Sequence, residues 1–91
     1  MTVKLNLFST LRQIAGQKQL AFEVAENSTL QDLLQHFIGQ YRDSRKYIYS
    51  PEGEVLHSTI LLVNDETVSP HEPVPLKDGD EVSILLPTAG G

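Results

Sequence analysis

The chain opens on alternation. In Val3-Lys4-Leu5-Asn6-Leu7-Phe8, Val3, Leu5 and Leu7 share one side of an extended segment, and Lys4, Asn6 and Phe8 share the other. The pattern predicts a strand with one buried face. Phe8 is an aromatic on the polar side, so it either packs beneath the next loop or belongs to a binding patch. Ser9 to Gly16 reads as a short helical turn: Ser9 or Thr10 caps it, Leu11, Ile14 and Ala15 face inward, Arg12 faces outward and Gly16 ends it. Alternation returns in Gln19 to Ala25 with Leu20, Phe22 and Val24 inward, which makes an antiparallel pair with the first strand. Ser28 and Gln31 fit a capping box. Leu30, Leu33, Leu34, Phe37, Ile38 and Tyr41 then recur at helical spacing, with Gly39 as the expected stop. That apolar stripe is the core face of the longest helix, laid across the sheet.

Tyr41 to Leu56 is less patterned. Arg42, Arg45 and Lys46 form a small basic cluster in a solvated loop or helix end, and Pro51-Glu52-Gly53-Glu54 marks a turn between Tyr47-Ile48-Tyr49 and Glu54-Val55-Leu56. Ile60-Leu61-Leu62-Val63 is apolar throughout, which predicts a strand buried at the middle of a sheet. Asn64-Asp65-Glu66 turns the chain into a short return strand at Thr67-Val68. Pro70, Pro73 and Pro75 forbid long regular structure before Leu76. Lys77-Asp78-Gly79-Asp80 is a turn into the last strand, where Val82, Ile84 and Leu86 share one face and Ser83 and Leu85 the other. The order is strand, strand, helix, strand, short strand, strand. A mixed sheet with one main helix across it, and the first and last strands parallel near its middle, satisfies every buried stripe. That is an α+β arrangement of the β-grasp, or ubiquitin-like, kind: one domain over residues 1–91, ending in a flexible Gly-Gly tail at 87–91.

Composition narrows the function by exclusion. The chain has no cysteine, which removes disulfides, thiolate metal sites and a cysteine nucleophile. A net charge of −5 argues against a nucleic-acid partner. No apolar run is long enough to span a membrane, and the start lacks the features of a signal peptide, so the expected compartment is the cytoplasm. His36, His57 and His71 are spread along the chain without metal-ligand spacing, with His36 exposed on the helix. Asp78, Asp80 and Glu81 lack the remaining positions of a calcium loop. No phosphate loop or activated nucleophile is present, so the chain is not expected to be a catalyst by itself, to hold a metal or to keep a bound cofactor.

The last residues, Leu86-Pro87-Thr88-Ala89-Gly90-Gly91, end in two glycines and a backbone carboxylate. Such a tail carries no side chains to block a narrow channel, although a frayed terminus tolerates glycine equally well. Taken with Leu7 to Gly16, with Val63-Asn64-Asp65-Glu66 and with Leu76-Lys77-Asp78-Gly79-Asp80-Glu81-Val82, the chain resembles the MoaD/ThiS family of sulfur-carrier proteins over essentially its whole length. Many members carry two prolines before the tail, where this chain has Leu86-Pro87.

The resemblance implies a mechanism. A ubiquitin-activating-like adenylyltransferase would spend ATP to adenylate the Gly91 carboxylate. A sulfur donor, often a persulfide, would then displace AMP and leave a thiocarboxylate. Ala89 and Gly90 would thread the tail into the activating and accepting sites. Phe8, Leu85, Arg12 and Pro87 would bind the partner, and the position matching Thr67 is often apolar in relatives. Acidic residues near the tail would steer a basic partner. The general match implied is the small subunit of molybdopterin synthase, with its large subunit as sulfur acceptor. A carrier for cysteine biosynthesis is the alternative, on Gly16-Gln17-Lys18 and Val63 to Glu66, with thiamine carriers behind it. A protein modifier joined to lysines through Gly91 would share the same tail, and so would a ubiquitin-like interaction module with an inert one.

Overall fold

Six alternating residues make the first strand, β1 (Thr2–Leu7), with Val3, Leu5 and Leu7 buried. The computed structural model describes residues 1–86. A short helix, α1 (Ser9–Ala15), returns the chain to β2 (Gln19–Glu23), which pairs antiparallel with β1 in the register Val3↔Phe22 and Leu5↔Leu20. Neither Ser9 nor Thr10 caps α1. Phe8 holds the N-cap position with extended backbone and no side-chain bond, and Ser9 has left the cap with φ of +48°. Gly16 closes the helix in the left-handed conformation at φ 75°, its N–H donating to the Arg12 carbonyl at 2.8 Å.

The long helix α2 (Leu30–Gln40) starts one residue later than the sequence suggests. Thr29 is the N-cap: its hydroxyl accepts from the Asp32 amide, and the Asp32 carboxylate accepts from the Thr29 amide at 2.9 Å. Ser28 instead donates its hydroxyl to the Ala25 carbonyl. Both residues have cap chemistry, and the packing of Leu30, Leu33, Leu34 and Phe37, all fully buried, decides between them. Gln31 is thereby freed for a different task. Its Nε2 donates to the Pro70 and Glu72 carbonyls at 3.1 and 2.8 Å, and its Oε1 accepts from the Val74 amide, stapling the proline-rich segment to the start of α2.

Gly39 does not stop α2. The helix runs to Gln40 with Tyr41 as its C-cap, and Gly39 is exposed inside it with nothing within 4 Å of where a Cβ would stand. Gly39→Ala is therefore expected to stabilise the fold by about 0.5–1 kcal/mol through the entropy of the unfolded chain. Thermal unfolding followed by circular dichroism checks it as a melting temperature higher by several degrees.

A 3₁₀ turn (Arg42–Ser44) and a one-turn helix, α3 (Arg45–Ile48), follow. Tyr47 and Ile48 are thus helical where the sequence suggests extended chain, and only Tyr49 pairs, bridging Val55 around the Pro51-Glu52-Gly53 turn. The remaining strands are β3 (Ile60–Val63), β4 (Glu66–Val68) and β5 (Glu81–Leu85), in a five-stranded sheet of order β2-β1-β5-β3-β4. β1 and β5 are parallel; the other neighbours are antiparallel. β5, not β3, is central. β3 lies next to the edge, and with one helical layer over the sheet only alternate residues are covered: Leu61 is buried while Ile60 is 47% exposed.

The motifs at the far end of β5 have a structural role. Asn64 and Asp65 both have positive φ, 51° and 69°, forming the two-residue mirror-image turn of a tight hairpin. The Asn64 side chain accepts from the Glu81 amide at 3.0 Å and donates to the Asp80 carboxylate at 2.9 Å. Asp80 also accepts from the Lys77 amide, and its carbonyl accepts from Lys4. The Gly79 amide, at φ 87°, donates to the Thr2 carbonyl. The two stretches thus lock onto each other and set the register in which β5 enters the sheet, and so where its other end emerges.

Candidate docking surface at the root of the tail

Two faces of the sheet have different fates. The side carrying Val3, Leu5, Val82, Ile84 and Leu61 is covered by α2, and Leu86 packs against that core. The opposite side is open. Towards the middle it is polar and self-satisfied: Gln19 donates to Asn6, and Asn6 donates to Ser83 and Glu81. Towards the end of β5 it turns apolar. The register Ile60↔Leu85 sets those two side by side, and Leu7↔Ile84 places Phe8, the next residue, beside Leu85. Phe8, Leu85 and Ile60 form a row across three strands, with Leu62 in the row below, next to Thr67. Phe8 is 44% exposed, and Leu85 and Leu62 are half-buried. Phe8 therefore does not pack beneath the following loop.

Arg12 stands at the rim. Its amide donates to the Phe8 carbonyl at 3.4 Å, one helical turn on, and its side chain is exposed. The patch lies where the chain leaves β5. Pro87, Ala89, Gly90 and Gly91 fall outside the described residues, as does the whole 87–91 tail.

The row joins Phe8 and Leu85, which the sequence singles out, to Ile60 and Leu62, which it does not. The signal was present: four consecutive apolar residues in a sheet with one main helix must show alternate members to solvent. The acidic residues that precede the tail in sequence stand at the opposite end of β5 from Leu85. Asp78, Asp80 and Glu81 stand at the start of β5, about 13 Å along the strand from Leu85. At the other end of the strand, Leu85 is flanked by Ile60 and Phe8.

Among the described residues no group of three or more His, Cys, Asp or Glu side chains is placed to hold a metal ion. No described helix is long and apolar enough to cross a membrane. What the site offers is a docking face beside the root of a tail.

The model for the ThiS family matches residues 5–91, a span that includes the terminal glycines. The chain is 31% identical, over all of both chains, to a molybdopterin synthase sulfur carrier subunit of Chlamydomonas reinhardtii. It is 32% identical, again over all of both, to small archaeal modifier protein 3 of Haloferax volcanii. The crystal structure of SAMP1 from Haloferax volcanii superposes with a TM-score of 0.90 over all of both chains at 23% identity, which establishes the shared β-grasp fold.

Proposed function

Since the chain belongs to the ThiS family, whose relatives are sulfur carriers and ubiquitin-like modifiers, we propose that it carries sulfur as a thiocarboxylate on Gly91 and delivers it to molybdopterin biosynthesis. The observation that carries the reading is the junction of two features: a family match running through Gly91, and the apolar row Phe8–Leu85–Ile60 where β5 ends.

The chemistry follows from what a carboxylate lacks. It is a poor electrophile, so its oxygen attacks the α-phosphorus of ATP, pyrophosphate leaves, and the acyl adenylate gains a good leaving group. A hydrosulfide equivalent then attacks the acyl carbon and AMP departs, leaving –COS⁻. If the sulfur arrives as a protein persulfide, the acyl disulfide formed first is cleaved by a thiol, which is oxidised to the disulfide. This chain contributes no cysteine to any of these steps. Its residues position the tail: Phe8, Leu85, Ile60 and Leu62 fill an apolar depression on the adenylyltransferase, Arg12 meets an acidic group at its rim, and Pro87, Ala89 and Gly90 pass the reacting end into the active site. The accepting enzyme, the large subunit of a molybdopterin synthase, uses the same face, so the two partners bind in turn. We place these steps in the cytoplasm.

The likeness to an archaeal modifier over the full length supports a second reading, an isopeptide bond from Gly91 to lysines of other proteins. Intact-protein mass spectrometry separates them. With a cognate adenylyltransferase, ATP and a sulfur donor, a mass gain of sulfur for oxygen localised to Gly91 and absent without ATP supports the carrier. The chain has a single methionine, Met1, whose oxidation gives nearly the same gain, so localisation decides. High-mass conjugates on a denaturing gel, lost when Gly91 is deleted, support the modifier. Neither product, with an enzyme active on a control carrier, overturns both.

A further inference from the structure

Two histidines distant in sequence meet in the fold. The rings of His57 and His71 stand with centroids 6.0 Å apart and planes tilted by 47°. Both residues are exposed, and neither takes part in the docking face. Their backbones are held. His57 lies in a turn closed by the Thr59 amide donating to Leu56, and the Leu56 amide donates to Ile48 at 2.8 Å. His71 lies between the two carbonyls, Pro70 and Glu72, that Gln31 holds with one amide nitrogen. The Gln31 staple thus fixes the backbone on either side of one imidazole, and the turn fixes the other.

We propose that His57 and His71 form a two-imidazole site for a borderline divalent transition-metal ion of the Zn²⁺ type. The spacing is within about 1 Å of what such an ion requires. A Zn–N bond of about 2.0–2.1 Å puts the ion about 3.2 Å from the centroid of each ring it binds, so two rings sharing one tetrahedral ion have centroids about 5.2 Å apart. From the observed 6.0 Å the two rings, both exposed, close by about 0.8 Å to share the ion. With two protein ligands, water completes the shell, which gives an open, exchangeable site. Imidazole is a common ligand for ions of this class, and holding its backbone beforehand reduces the ordering needed on binding. The bound ion would clip the segment around His57 to the proline-rich segment, adding a link where the chain has no disulfide.

The third histidine supplies the control, because His36 is exposed on α2 and outside the pair. Titration of the full chain with ZnCl₂, followed by amide chemical shifts, is expected to show saturable 1:1 binding with changes centred on residues 56–58 and on His71 and Glu72. His57→Asn and His71→Asn are each expected to weaken it by about tenfold or more, and His36→Asn to leave it unchanged. The melting temperature should rise with Zn²⁺ in the parent chain and not in the two ligand variants. Absence of saturable binding, equal affinity in either ligand variant, or a loss that follows His36 would overturn the proposal. The dispersion of the same spectra shows whether each variant is folded.

Discussion

Deletion of Gly91 leaves the domain folded and abolishes its loading with sulfur. The deletion still ends in a glycine carboxylate, so the chemistry of the end group is unchanged; only its reach is shorter, by about 3.3–3.6 Å, the span of one extended residue. Because a misplacement of about 1 Å at a reacting centre costs on the order of 100-fold in rate, a deficit three times larger removes at least that much. Folding is expected to be indifferent. The described core runs from Val3 to Ile84 with Leu86 packed against it, five residues before the end. The check is paired: thiocarboxylate formation by mass spectrometry, with a loss of at least about 100-fold, and a melting temperature within the error of the parent. Gly91 deletion that still loads sulfur would move the reacting group off the tail. A large loss of stability would instead show the tail to be part of the packed domain.

The reach of the tail depends on where β5 delivers it, and this explains which sequence features were informative. The strands were legible because period-two alternation leaves few options: Val3, Leu5 and Leu7, like Val82, Ile84 and Leu86, have no second face on which to be buried. The parallel pairing of β1 with β5 follows from the order of the elements and the rules for connecting them. Where two residues had equal local chemistry, the outcome was decided elsewhere. Ser28 and Thr29 are equivalent as caps, and the depth at which Leu30 and Phe37 pack chose Thr29. Gly39 reads as a helix stop by propensity, but the buried Ile38 before it and the Tyr41 cap after it carry the helix through. Ile60 to Val63 was misread because a run of four apolar residues looks the same whether both faces are buried or one face awaits a partner.

The same reasoning separates the residues that set the register of β5 from those of the proposed docking row. Asn64, Asp80 and Gly79 set the register of β5 at one end of the strand, while Phe8, Leu85 and Ile60 occupy the other. The pairing of His57 with His71 was invisible in sequence, since it arises only because Gln31 pins a proline-rich segment that no periodicity describes.

Ile60→Asp is expected to give the largest loss of partner binding available without altering the tail. Ile60 sits beside Leu85 in the apolar row and is the most exposed of the large hydrophobic residues there. In the free chain the aspartate stays in water, so the fold loses the β-propensity difference and the half of the Ile60 side chain that is covered, together about 1–2 kcal/mol. In the complex the same carboxylate is carried into an apolar depression with no partner of its own. An unpaired polar group costs roughly 2–4 kcal/mol there, which is about 30-fold to nearly 1,000-fold in Kd. Phe8→Ala and Leu85→Ala remove anchors without adding a charge, and each is expected to cost about 2 kcal/mol. His36→Ala, on the exposed side of α2, serves as the control and should bind as the parent does. Titration against the cognate adenylyltransferase measures all four. Equal affinity for Ile60→Asp would take the partner off this face of the sheet, while a fall in melting temperature as large as the fall in affinity would return Ile60 to the fold.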